Sequence, residues 1–238
     1  MLRSTDSGVT WRVLAVPKSV SVVNAADCTT ARVCLVTGGL SSPAGLALVT
    51  TDSGRTWATI SLKQVRWTGL ASCVAPGACV LEGSDVAQNN EIVFGLNLLT
   101  RYVEVEHLPG PPMELMSGLD CTETGCITVG QGVSIARPQI LTSSVGGAAW
   151  HVDSVPTVAG LSLQGAGCAT ALRCWAVGDN STGAGVSLST SDGGTTWHVD
   201  HVPNSIFEID YMTCPVVTMC VGEGANAAVN NASLRLSF

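Results

Sequence analysis

The chain has 238 residues, of which 12% are charged and 26 are glycine, which suits one large, turn-rich globular domain spanning 1–238. The formal charge is −7, from 18 acidic against 11 basic residues, and no basic cluster could track a phosphate backbone, so nucleic acid is not an expected partner. No apolar run approaches the roughly 18–20 residues that cross a bilayer, and MLRSTDSG lacks a basic n-region with an apolar core, so neither a membrane span nor a leader is read in these residues.

In chain order the first element is a turn phrase, STDSGVTW (Ser4–Trp11), followed by a short strand, Trp11 to Val16. The segment Ser19 to Leu62 then sets a pattern. SVSVVNAADC leads to one cysteine, the loop TTARV to a second, then come CLVTGG, GLALVTT, the turn DSGRT and WATISL. Each run is six to ten residues, rich in Val, Ile, Leu and Thr and bounded by Gly, Ser, Asp or Pro, and reads as an antiparallel strand, A to D. Later segments repeat the order, with D strands expected at Trp57–Leu62, Tyr102–Leu108, Trp150–Val155 and Trp197–Val202.

The ten cysteines keep the same beat: Cys28/Cys34, Cys73/Cys79, Cys121/Cys126, Cys168/Cys174 and Cys214/Cys220, with first members 45, 48, 47 and 46 residues apart. A glycine follows each second cysteine by four positions, at Gly38, Gly83, Gly130, Gly178 and Gly224. The close spacing suits disulfides across hairpin ends. Zinc ligation is the rival, but each pair stands in a different repeat with no histidine partner, and reduced buried thiols are a third possibility. Five disulfides imply an oxidising compartment, extracellular or periplasmic. No metal and no cofactor is expected.

The turn phrase recurs as TTDSGRTW (Thr50–Trp57) and TSDGGTTW (Thr190–Trp197). It resembles the Asp-box, the Ser-x-Asp-x-Gly-x-Thr-Trp turn of the bacterial neuraminidase-repeat β-propellers of the sialidase-like superfamily. Asp6, Gly8 and Trp11 carry it, as do Asp52, Gly54 and Trp57, and Asp192, Gly194 and Trp197. A fourth copy, SSVGGAAW, keeps Gly147 and Trp150 with Val145 in place of the Asp, and the third repeat, near Leu98–Tyr102, has lost it. The resemblance implies an all-β propeller in which these boxes are structural staples away from the ligand-binding end, and the five cysteine pairs and five D strands count out five blades of four antiparallel strands, one fewer than the six-bladed sialidases. From Gly38 to Asp52 and from Gly178 to Asp192 is 14 positions, and the same count from Gly224 reaches Phe238. The expected closure is therefore 3+1: strands A to C of the last blade from the C-terminus, strand D from Trp11–Val16, and Met1–Arg3 frayed. A fragment of a larger ring is the alternative.

Ligands of propellers bind over the channel lined by strand A. Four residues before each first cysteine stand Asn24, Gly69, Ser117, Gln164 and Asp210, a polar rim suited to hydrogen-bonding a sugar. With Arg66 and Trp67, the residues Asn24, Gln164 and Asp210 are the expected ligand-binding set, for a glycan or protein partner of a monomeric recognition module. The alternative is a glycoside hydrolase with paired carboxylates from Glu114, Glu208 and Asp210, and Tyr211 as a nucleophile. The Arg-Ile-Pro signature of sialidases is absent. His151/Asp153 and His198/Asp200, each pair on one strand face, read as polar groups that discourage edge pairing.

Overall fold

The computed structural model describes residues 1–6, 8–40, 45–62, 65–74, 77–86, 91–106, 108–132, 137–145, 147–226 and 231–237. Its described side chains exclude those of Leu40, Glu114, Val145 and residues 231–237. A hairpin, β1 (Leu2–Arg3) with β2 (Arg12–Val13), comes first. Four sheets of four strands follow. The first contains β3 (Val20–Cys28), β4 (Cys34–Leu40), β5 (Gly45–Thr50) and β6 (Ala58–Leu62). The second contains β7 (Val65–Val74), β8 (Ala78–Asp85), β9 (Glu91–Asn97) and β10 (Val103–Glu106). The third contains β11 (Met113–Cys121), β12 (Cys126–Gly132), β13 (Pro138–Val145) and β14 (Ala148–Val152), and the fourth β15 (Ser162–Cys168), β16 (Cys174–Asp179), β17 (Gly185–Thr190) and β18 (His198–Val199). A three-stranded sheet of β19 (Ile206–Val216), β20 (Met219–Asn226) and β21 (Asn231–Ser237) ends the order. Every neighbouring pair is antiparallel and consecutive, as short hairpin connections dictate.

The first strands β3, β7, β11, β15 and β19 pack on one another in series and so line a common axis, with the other strands stepping outward. These are five blades of a β-propeller. Each junction has its own apolar cluster. Leu35 and Val49 meet Leu81 between the first and second blades, and Val80 and Val93 meet Met116 between the second and third. Ile127 and Val129 meet Ala176, and Trp175 and Val177 meet Met212, at the next two.

All five cysteine pairs are bridged, Cys28–Cys34, Cys73–Cys79, Cys121–Cys126, Cys168–Cys174 and Cys214–Cys220, each closing its A–B hairpin with Cα atoms 4.0–4.1 Å apart. Their sulfurs are more than surface staples, which the spacing does not show. Cys79, Cys126, Cys168, Cys174 and Cys220 are buried members of the junction clusters. Cys79 packs in the cluster with Leu81, and Cys220, fully buried, in that with Met212 and Trp175. A bridged cysteine has no charge or free donor to satisfy, so it fills such a place as a small apolar group and offers nothing to a ligand. These five are core residues.

The glycine that keeps time with the cysteines has a steric reason. The inner strand of every blade is irregular near its start, between Val20 and Val22, Val65 and Trp67, Met113 and Leu115, Leu163 and Gly165, and Ile206 and Glu208. There a backbone carbonyl, of Val22, Trp67, Leu115, Ser162 or Glu208, lies where a Cβ on Gly38, Gly83, Gly130, Gly178 or Gly224 would stand. Any other residue would overlap that oxygen.

The repeated phrase is a side-chain-capped turn. In the first blade Asp52 accepts the Thr56 hydroxyl at 2.6 Å and the Thr56 N–H at 2.9 Å, while Gly54 turns at φ +79°. Thr196 donates to Asp192 at the same two distances, and so does Thr10 to Asp6. These bonds, led by that from the threonine hydroxyl, hold all three carboxyls at about 2. In the second blade, where the phrase is lost, Asn97 takes over by accepting the N–H groups of Leu99 and Thr100.

The two ends differ from the expected closure. β2 pairs with β1, Leu2 opposite Val13 and Arg3 opposite Arg12, and β21 pairs only with β20 among the described residues. A hairpin across one tight turn closes a far shorter loop than pairing between the two chain ends, so the local partner wins. Met1–Arg3 is accordingly not frayed: Met1 packs on Val36, Leu46 and Leu48 of the first blade. Among the described residues no extensive packing joins the β19–β21 blade to the β3–β6 blade. The inner strand of the first blade is left open, with Val22 49% and Val23 40% exposed, whereas most of β15 is buried.

Two measurements check this architecture. Thr68 Oγ1 is buried between the first two blades and bonds the N–H and carbonyl of Gly38 and the carbonyl of Leu46, so Thr68→Val costs about 1–3 kcal/mol in denaturant unfolding. Reduction of the bridges lowers Tm without abolishing the β signal in circular dichroism, since each small loop contributes about 2 kcal/mol, and alkylation of the unreduced chain labels no cysteine.

Candidate functional site

The polar residues of the inner strands are largely spent on joining blades. Asp27, in the first blade, accepts the N–H of Cys73 in the second at 2.7 Å, Ser72 accepts that of Cys121 at 2.9 Å, and Asp120 that of Cys168 at 2.7 Å. Each acceptor is the residue before the first cysteine. Each donor is the first cysteine of the next blade. The rim four residues before the cysteine behaves alike: Asn24 donates to the Thr68 carbonyl at 2.6 Å and Ser117 to that of Leu163 at 2.6 Å. Gln164 donates to Ser162 within its own strand at 3.0 Å. Burial raises Asp120 to about 6, against the N–H bonds that favour its charge.

Two groupings emerge from the expected site residues. Asn24 meets the second blade beside Trp67, with Arg66 exposed next to it. Gln164 precedes Gly165, which lies against the backbone of Asp210 and Tyr211, so these three gather at the fourth junction. Glu208, Asp210 and Tyr211 are exposed on β19, and the side chain of Glu114 lies outside the described residues. Burial and the charges of Asp120, Asp27 and Glu223 push the Tyr211 hydroxyl above the usual range, the reverse of activation.

A carboxyl pair that the sequence reading passed over stands at the first grouping. Glu82 on β8 is 1% exposed, accepts the Leu70 N–H at 2.8 Å and shares a hydrogen bond with Glu91 on β9. A Cβ on Gly69 would meet both the Glu82 carboxyl and the Trp67 ring, so the ring stands near that carboxyl. Burial first, then the bond to Glu91, drives Glu82 up to about 9, and burial also raises Glu91. Glu82 therefore keeps its proton at neutral pH. Glu82 Oε1 and Glu91 Oε2 are buried without a partner. The available signal was a charged residue inside the buried run CVLEGS, where three other blades have Thr37, Val129 and Val177 and the fifth has an exposed Glu223.

Asp153 and Asp200 do more than blunt an edge. Asp153 accepts Trp197 Nε1 of the next blade at 3.0 Å and Thr142 Oγ1 at 3.0 Å, and burial leads its rise to about 6. Asp200 accepts Ser187 and Ser189 at 2.8 and 2.6 Å. Among the described residues no three His, Cys, Asp or Glu cluster as metal ligands, and no helix is long and apolar enough to cross a membrane.

No family model and no curated protein matches the chain. Solved structures do. One, of YCF48 bound to D1 peptide, is 16% identical, with a TM-score of 0.66 over 100% of this chain and 72% of that one. Another, a study of two prolyl endopeptidases, is 15% identical, with a TM-score of 0.66 over 99% of this chain and 36% of that one. A mutant of the Aleuria aurantia lectin in complex with alpha-methyl-L-fucoside is 8% identical, with a TM-score of 0.56 over 90% and 74%. The chain has the β-propeller fold. At these identities the likeness is one of architecture, and the propeller's chemistry rests on its own residues.

The buried pair sets a pH dependence. Glu82's folded value is raised above its ordinary 4.5, so its contribution to stability is complete below that value and is lost as pH rises through about 9. Glu82→Gln keeps an acceptor for Leu70 and cannot ionise. The expected outcome is that Tm of the native chain falls between pH 6 and pH 10 more steeply than Tm of the variant, read by thermal scans across that range.

Proposed function

We propose that this chain is a recognition module, a propeller of the Asp-box type that binds a glycan or protein at the mouth of the axis and works as a monomer in an extracellular or periplasmic setting. The observation that supports this reading is that the Asn24 amide reaches the Thr68 backbone at the first junction, beside an inner-strand stretch of the second blade that carries the exposed Arg66 and the part-buried Trp67 ring. The five disulfides support an oxidising environment. Propellers of similar shape, one bound to D1 peptide and one in complex with a fucoside, support binding as the use of this architecture.

The hydrolase reading draws no support from the carboxyl pair. A glycosidase keeps its two carboxyls about 5–10 Å apart across a pocket, whereas Glu82 and Glu91 are hydrogen-bonded to each other and Glu82 is buried. Parallel glycan and peptide arrays, with aryl glycosides assayed beside them, test the proposal. Saturable binding that Trp67→Ala and Arg66→Ala each weaken by about tenfold, one lost aromatic or charged contact, is the expected result. Turnover of a glycoside that disappears in Asp210→Asn or Glu208→Gln would replace this reading with the hydrolase.

A further inference from the structure

A cleft of about 430 Å³ separates the N-terminal hairpin from the first blade, with Leu2, Leu14, Val36 and Trp57 among its apolar walls and Arg3 at its side. Two donors there are short of acceptors. Trp57 Nε1 is buried without a hydrogen-bond partner. Arg3 donates from Nη1 to the Ser53 carbonyl at 2.7 Å, and among the described residues no carboxylate pairs with its guanidinium.

The junction between the third and fourth blades shows what such a place holds when it is complete. There Trp197 Nε1 and Thr142 Oγ1 converge on the carboxylate of Asp153, and Thr142 also donates to the Gly193 carbonyl at 3.2 Å. Counted from the turn tryptophans, Arg3 occupies the place of Thr142, Ser53 that of Gly193, and Leu14 that of Asp153. The spatial match is direct: a Cβ on Gly194 would meet Asp153, and one on Gly54 would meet Leu14. At the N-terminal junction both donors are therefore kept, one of them strengthened to a full positive charge, while their carboxylate is replaced by a hydrocarbon.

We propose that this cleft is a binding site for a small carboxylate with an apolar body, separate from the mouth of the axis. The carboxylate pairs with the Arg3 guanidinium, the strongest kind of contact available there. It reaches the Trp57 indole N–H once the half-buried Leu14 side chain turns aside, and the body lies on the apolar walls. Two sources share this chemistry, an acyl chain and the C-terminal carboxylate of an apolar residue.

Octanoate and N-acetyl-leucine serve as probes for the two, with octanol and N-acetyl-leucinamide as their uncharged counterparts. The 238-residue chain, labelled with 15N, is titrated while its six tryptophan indole resonances are followed. At least one carboxylate is expected to shift the Trp57 resonance saturably and to bind about tenfold or more tighter than its uncharged counterpart, a charge-assisted bond being lost in the latter. Whichever probe binds names the source. Arg3→Met weakens binding by a similar factor. Leu14→Asp installs the missing carboxylate within the chain, so it raises Tm and blocks the probe, with an unshifted Trp197 resonance reporting that the blades are intact. Equal binding of carboxylates and uncharged counterparts, no binding of either carboxylate, or unchanged affinity in Leu14→Asp would overturn the proposal.

Discussion

A single steric requirement organises this molecule: near the start of every inner strand a carbonyl oxygen is pushed against the neighbouring strand, and only a glycine can stand beneath it. Val22 over Gly38 and Glu208 over Gly224 are the first and last of the five occurrences. The irregularity bends the inner strand, and a bent inner strand can present backbone groups to the next blade as well as to its own. Thr68, in the irregular stretch of β7, donates back to Gly38 and Leu46 of the preceding blade. Without the glycine the strand would straighten and those groups would lose their partners.

The same geometry explains why the polar inner strands are not simply a ligand rim. Buried donors and acceptors must be satisfied, and at a blade junction the nearest partners are those of the next blade. Asp27 and Asp120 are consumed by cysteine N–H groups, and Asn24 by a carbonyl. What stays available is set by departures from the repeat. Trp67 and the Glu82–Glu91 pair interrupt it in the second blade, and Leu14 interrupts it at the N-terminal hairpin. Function in a repeat protein is most readily sought where the repeat is broken.

The repeat itself was plain in the sequence because cysteine, glycine and tryptophan each have a position-specific physical role: cross-strand bridge, room for a carbonyl, cover for a turn. Strand order, bridge pairing and blade number followed from their spacing. The depth of Cys79 and Cys220 in the junction clusters did not, since spacing along the chain carries no information about which face of a hairpin meets the next blade. The pairing at the chain ends was equally hidden, because β1 and the C-terminal strand fit the same slot in the count, and only the competition between local and distant partners decides between them. Nor was the Glu82–Glu91 contact legible. Those residues lie on adjacent strands nine positions apart, a spacing that no motif marks, and their closeness depends on the register Ser84 opposite Glu91. Asp153 was visible as a residue but not as an acceptor for Trp197, since that bond crosses from one repeat to the next.

Every covalent cross-link in the molecule is local, joining cysteines five or six positions apart within one hairpin. Apart from the backbone that links them, successive blades are held by hydrogen bonds and apolar contact among the described residues, and the extensive packing runs between neighbours in series. Such a chain has the mechanics of a string of stiff beads. Pulled from its two ends, it yields bead by bead, each sheet detaching from the next while its own bridge caps how far that hairpin can extend.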